Sequence, residues 1–165
     1  MMQQQINWGK CKPYLYIDDS IPAVVLGPNF LQFLLAYIAY AIYGFILLIV
    51  LFSRDLGIIR LSLSVVSYTS TLINYFLAAF MNQGVSNYKY NYYIQPIKYC
   101  EICNQKQQKY TEHCDTCGVC IEGYDHHCPW IGKCVGRHNK RYFYVFIFSL
   151  FVFQTSSILI FTKIL

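Results

Sequence analysis

The sequence predicts an α-helical integral membrane protein with three transmembrane helices and a small cysteine-rich domain. Three observations predict it. Of 165 residues, 56% are hydrophobic and only 13% charged, about half the charged share of a soluble domain. The apolar residues gather into three uncharged stretches, residues 29–52, 61–80 and 142–162. Finally, seven of the eight cysteines and all four histidines fall between Cys100 and Phe143.

Taken in order, residues 1–28 are polar and interrupted by Pro13, Pro22 and Pro28. They are expected to form an irregular arm on the cytosolic side, without a cleavable signal peptide. Its Cys11 is either a lipidation site near the membrane or, the commoner fate, an ordinary free thiol. Residues 29–52 form the first transmembrane helix and residues 61–80 the second. At 1.5 Å per residue each spans roughly 30 Å or more, the thickness of a bilayer core. Ser67, Thr71 and Asn74 put a polar stripe on the second span, which packing between helices explains at least as well as a lined cavity. Residues 81–99 read as an irregular juxtamembrane linker. Its Tyr88, Tyr90, Tyr92, Tyr93 and Tyr99 suit a bilayer–water interface. Residues 100–141 are the cysteine-rich domain, and residues 142–162 the third transmembrane helix.

Only eight residues, 53–60, join the first two spans, so these form a hairpin with the arm and the long 81–141 segment on one side. That segment holds eight lysines and arginines. Lys89, Lys98, Lys133, Arg137, Lys140 and Arg141 lie near a span end, where positive charge marks the cytosolic face. In that reducing compartment clustered cysteines imply metal rather than disulfides. Six thiolates remove six charges and two Zn²⁺ restore four, so the formal +5 becomes +3. A nucleic-acid partner is not expected.

The cluster reads C-x2-C-x9-H-C-x2-C-x2-C-x4-D-H-H-C-x5-C-x4-N-x3-F. C-x2-C presents two thiolates to one tetrahedral zinc, and the spacing offers Cys100/Cys103, Cys114/Cys117 and the overlapping Cys117/Cys120. With His113, His126, His127, Cys128, Cys134 and His138, there are more donors than two closed sites need. If residues 126–128 are extended, His126 and Cys128 share a face and His127 points the other way. One histidine then serves a metal while the other sits beside a thiol, the pairing that makes a thiolate nucleophile. Asp125 either orients His126, as in a triad, or supports a zinc-bound His127. Alternation favours the second role, and only a turn at Asp125 permits the first.

The run Asp125-His126-His127-Cys128-Pro129-Trp130, with Cys134-Val135-Gly136 and Asn139, resembles the cysteine-rich domain of the DHHC protein S-acyltransferases (palmitoyltransferases). The resemblance covers roughly residues 100–143 and the flanking spans. It implies one structural zinc on Cys100, Cys103, His113 and Cys120, and another on Cys114, Cys117, His127 and Cys134. It implies Cys128 as the acyl-accepting nucleophile, His126 as its base and Asp125 as the residue orienting His126, with His138 left at the surface. Lys133 departs from the asparagine many members have there, and Asn82-Gln83-Gly84 is a weak match to their Asp-Pro-Gly. Members usually have four or more spans, so either a fourth lies outside this sequence or the protein is a reduced member.

The activity implied is transfer of a fatty acyl group from acyl-CoA (palmitoyl-CoA), through an acyl-Cys128 thioester, to cysteines of membrane-associated proteins. Lys133, Arg137, Lys140 and Arg141 are the expected contacts of the CoA phosphates, with positive-inside anchoring as their ordinary use. A rival of another class is a zinc-stabilised membrane scaffold without catalysis. A RING-type ubiquitin ligase leaves the His126–Cys128 pair unexplained, and no βαβ pattern supports thiol–disulfide exchange.

Overall fold

The structure, a computed structural model, describes residues 7–18, 21–53, 57–86 and 98–162. The chain divides into two compact units whose boundaries fall just inside the helix ends. One comprises residues 1–33 and 79–140, the other residues 34–78 and 141–165.

The second unit holds the bodies of three helices: α1 (Phe30–Phe52), α2 (Ile58–Phe80) and α3 (Lys140–Thr162). All three are long and apolar enough to cross a membrane. Each begins ahead of its apolar stretch or inside it by a residue or so. α2 takes in Ile58, Ile59 and Arg60, which the sequence places in the loop. Large apolar side chains such as Leu35, Ile46, Val66, Phe148 and Phe151 face outward, as lipid-facing residues do. Small and hydroxylated residues face inward. The buried Thr71 donates to Ser149 Oγ at 3.1 Å, and the Tyr68 hydroxyl donates to the Ala41 carbonyl at 2.6 Å. Tyr75 stacks on Phe146 with ring centroids 4.4 Å apart. Ser67 and Thr71 are therefore packing residues, while Asn74 donates back to the Ser70 carbonyl on its own helix.

The first unit is a set of two-stranded antiparallel ribbons. Strand β1 (Lys12–Asp18) pairs with β2 (Ile21–Leu26), so this part of the arm is a hairpin rather than irregular chain. Prolines suggested otherwise, but Pro13 sits on β1, whose ladder partner among the described residues is β2 alone, and Pro22 precedes the Ala23–Val24 stretch where β2 gains a second neighbour. The ribbon is extended by residues after α2. The Asn82 N–H donates to the Ala23 carbonyl, and Val24 bridges to Met81. Asn82–Ser86 then runs on beside the cysteine-rich domain, the Ser86 N–H donating to the Cys120 carbonyl at 2.8 Å. This stretch of the expected irregular linker is thus tied on both sides. Tyr88, Tyr90, Tyr92, Tyr93 and Lys89 lie outside the described residues.

The cysteine-rich domain contributes β3 (Lys98–Cys100) with β4 (Gln105–Gln107), β5 (Thr111–Cys114) with β6 (Val119–Glu122), and β7 (His126–Cys128) with β8 (Lys133–Val135). A 3-10 turn over Pro129–Ile131 joins the last pair. Ribbons of three or four residues are too short to stand alone. Their common core is made largely of thiols: Cys11, Cys114, Cys117 and Cys134 pack with Val25, Val119 and Ile121.

Candidate functional site

Strand register sorts the metal donors. On β5, His113 and Cys114 are neighbours and point to opposite faces. His113 lies across from Cys120, and these two join Cys100 and Cys103 in one quartet. Cys114 turns the other way and joins Cys117, His127 and Cys134 in the second. On β7 the same logic holds, since His127 lies across from Cys134. The overlapping Cys117/Cys120 pair is thereby divided between the two sites. Each quartet's first two thiols come from a knuckle turn closed by a backbone N–H on sulfur, Cys103 to Cys100 and Cys117 to Cys114, both at 3.4 Å. The turn demands a left-handed residue next, supplied by Gly118 (φ 71) and Asn104 (φ 49), residue types that tolerate it.

Both quartets have the dimensions of a zinc site. A tetrahedron with Zn–S near 2.3 Å and Zn–N near 2.0 Å has edges of about 3.6–3.8 Å. His113 Nδ1 lies 3.2–3.9 Å from its three sulfurs. His127 Nδ1 lies 3.5–3.6 Å from Cys114, Cys117 and Cys134, and Cys117 and Cys134 sulfurs are 3.4 Å apart. Burial, with Cys120 and Cys100 beside it, pushes the Cys103 thiol up to about 12. Burial, and then the charge of His126, holds His127 below the usual imidazole range, which keeps it a neutral donor. Two Cys₃His sets of this size could each hold one zinc.

Outer partners complete the second quartet. His127 Nε2 donates to Asn29 Oδ1 at 3.0 Å, and the Asn29 N–H donates to the Gly132 carbonyl at 3.1 Å. Nothing in the spacing pointed to Asn29, which precedes α1 by one residue. Gln107, buried on β4, donates to Cys120 Sγ at 2.8 Å in the first quartet.

Cys11 is neither exposed nor near solvent. It is buried against the second quartet and accepts from Gln83 Nε2 at 3.3 Å. Its hydrogen bond with Cys117, reinforced by burial, raises the thiol well above its ordinary value.

On the opposite face of β7 stand His126 and Cys128. Asp125 precedes the strand, after the Gly123 turn, and its own N–H donates to the Val135 carbonyl. This turn aims Asp125 Oδ1 at His126 Nδ1, 3.1 Å away. Lys140 Nζ meets the other oxygen at 2.9 Å. Cys128 is buried and extended, immediately ahead of the 3-10 turn, with Trp130 beside it exposed. Asn139, fully buried, accepts from the Gly136 N–H and donates to the Cys134 carbonyl, locking the loop that leads into α3.

The four basic residues have different surroundings. Lys133 is completely buried, its ammonium donating to the Val25 and Met81 carbonyls at 2.6 Å each. It cannot reach a CoA phosphate, and that expectation is corrected. Burial pulls its ammonium down to about 7, opposed by the charges of Cys11, Cys117 and Cys134. Lys140 is engaged by Asp125. Arg137 pairs with Glu122 at 3.3 Å, and Arg141 lies over the Tyr142 ring. His138 is at the surface. Lys98 pairs with Glu112 at 2.6 Å, and the Tyr99 hydroxyl donates to Asn104.

Three helices of membrane-spanning length and two Cys₃His sets define an integral membrane protein with a metal-knuckle domain. Comparison with protein-family models matches residues 93–165 to the DHHC palmitoyltransferase family. That segment, which includes both quartets, is similar to this family. Comparison with curated proteins finds no match.

Proposed function

We propose that the chain is a protein S-acyltransferase that takes a long-chain acyl group from acyl-CoA onto Cys128 and passes it to cysteines of membrane-associated proteins. The observation that carries this reading is the division of labour on β7. His127 faces three thiols, while His126 and Cys128 share the other face and Asp125 holds His126 Nδ1. With Nδ1–H donated to Asp125, Nε2 is the basic nitrogen of His126.

Cys128 Sγ attacks the thioester carbonyl, a new C–S bond forms and the bond to CoA sulfur breaks. The thiol proton passes through His126 to the departing CoA thiolate. In the second half the thiol of a substrate cysteine yields its proton to His126 and attacks acyl-Cys128, and the proton returns to the Cys128 sulfur. The two quartets would hold zinc as cross-links between the ribbons, and His127 in the second would tie β7 to Cys114, Cys117 and Cys134. Among the cations, the exposed guanidinium groups of Arg137 and Arg141 are the ones we assign to CoA phosphates, and Lys140 serves Asp125. The cysteine-rich domain faces the cytosol, where acyl-CoA is found, and the acyl chain favours the bilayer by about 0.8 kcal/mol per CH₂.

The test is to incubate the purified, zinc-loaded protein with an alkyne-tagged palmitoyl-CoA and look for a hydroxylamine-labile adduct. Wild type should label and Cys128→Ala should not. No adduct on wild type, or an equal one on Cys128→Ala, leaves a membrane scaffold without catalysis.

A further inference from the structure

Lys133 has a use that the transfer reaction does not. A lysine buried to 0% exposure gives up its hydration at a cost of several kcal/mol unless opposite charge replaces it. The Val25 and Met81 carbonyls satisfy two of its hydrogens but carry no charge. Among the described residues no carboxylate lies within ion-pair distance of it. Among the described residues opposite charge is available from the second quartet. Three thiolates and a neutral imidazole leave a Zn²⁺ centre with a charge of −1, and the ammonium is held by Val25, which packs against Cys114, Cys117 and Cys134.

We propose that Lys133 is the buried counter-ion of the second zinc centre. The inference rests on the reading that both quartets hold zinc. The two centres differ in how they disperse their charge. In the first, Cys103 and His113 are partly open to water and Gln107 donates to a ligand sulfur. In the second, Cys114, Cys117 and Cys134 are 4%, 0% and 0% exposed, so water cannot screen them and a fixed cation takes its place. Because the same ammonium grips β2 and the residue after α2, the charge of the second centre also fastens the N-terminal hairpin and the start of the 81–86 segment. The centre and the arm hold each other.

The experiment uses the full chain in detergent micelles. Zinc per chain is measured first, then zinc release to a chromophoric chelator. The emptied cysteines are identified by alkylation and mass spectrometry. Lys133→Gln keeps hydrogen-bond donors without charge, and Lys133→Met keeps the apolar stem without either. Wild type should hold two zinc ions. Both variants should free Cys114, Cys117 and Cys134 about 10–100-fold faster and leave the release of Cys100, Cys103 and Cys120 unchanged. With Co²⁺ substituted, their thiolate-to-metal absorption should shift for one centre of the two. Lys133→Gln releasing at the wild-type rate with an unshifted spectrum overturns the proposal, and leaves Lys133 a neutral tie between carbonyls. Loss of both zinc ions together overturns it as well, because the effect is then one of folding. Fewer than two zinc ions on wild type removes the zinc reading itself, and this inference with it.

Discussion

Asp125 is held by two contacts on different oxygens, one to His126 and one to Lys140. Lys140 sets a positive charge on the side of the carboxylate away from the imidazole, and so fixes which oxygen faces His126. Asp125→Asn preserves shape and removes the carboxylate charge. It should slow formation of the Cys128 adduct by about 10²–10⁴-fold while both zinc ions stay bound, measured as labelling rate against zinc content. Asn29→Ala should act on the metal instead. His127 Nε2 loses its acceptor, and zinc affinity of the second quartet should fall about 10–100-fold, read by competition with a chelator of known affinity. At this scale the sequence was legible wherever chemistry is local. The C-x2-C pairs and the His126–Cys128 alternation need only neighbouring residues. Asn29, ninety-eight residues from its histidine, and the burial of Lys133 depend on chain returning from far away, and no spacing encodes that. Asp125 falls between: alternation pointed it at His127, and the Gly123 turn, invisible as a direction in sequence, pointed it at His126.

Single strands carry the double metal arrangement. β5 sends His113 one way and Cys114 the other, and β7 does the same with His127 and Cys128, so a strand of three or four residues serves two faces at once. Helices meet the opposite demand and present one face to each other. Gly44 on α1 lies under Tyr68 of α2, where a Cβ would stand 2.1 Å from the ring. Gly44→Leu should therefore separate these helices and lower the detergent melting temperature of the helical signal by several degrees. Thr71→Val removes a single interhelical hydrogen bond, worth about 0.6 kcal/mol, and should shift the melting temperature by only a degree or so. An equal effect of the two variants would show that α1 and α2 do not pack through Gly44. The three helices were legible because 20 uncharged residues admit no other use. The β1–β2 hairpin was not, since prolines that forbid a central strand are harmless in a two-stranded ribbon.

For the molecule as a whole, division into a helical unit and a knuckle unit predicts two separate responses to metal. Helices satisfy their own backbone in lipid or detergent. Short ribbons around a core of thiols depend on cross-links. Stripping zinc with a chelator should thus open all eight cysteines to rapid alkylation while far-ultraviolet helicity stays within about a tenth of its starting value. Helicity collapsing along with zinc would contradict two independent units. Composition made the membrane character legible, and the cysteine count made the metal character so.

Because Asn29 precedes α1 and its metal-site partners end at Cys134, the second centre closes over 105 residues of chain. At about 5–20 residues per second, translation takes roughly five to twenty seconds to cover that interval. Within it α1 and α2 are synthesised, and Asn29 waits for His127. The second quartet, which could hold a metal, is therefore completed late in synthesis, after the first two helices have been made. Any ribosomal pause before Cys134 prolongs the time for which a half-built thiol cluster is open to oxidation.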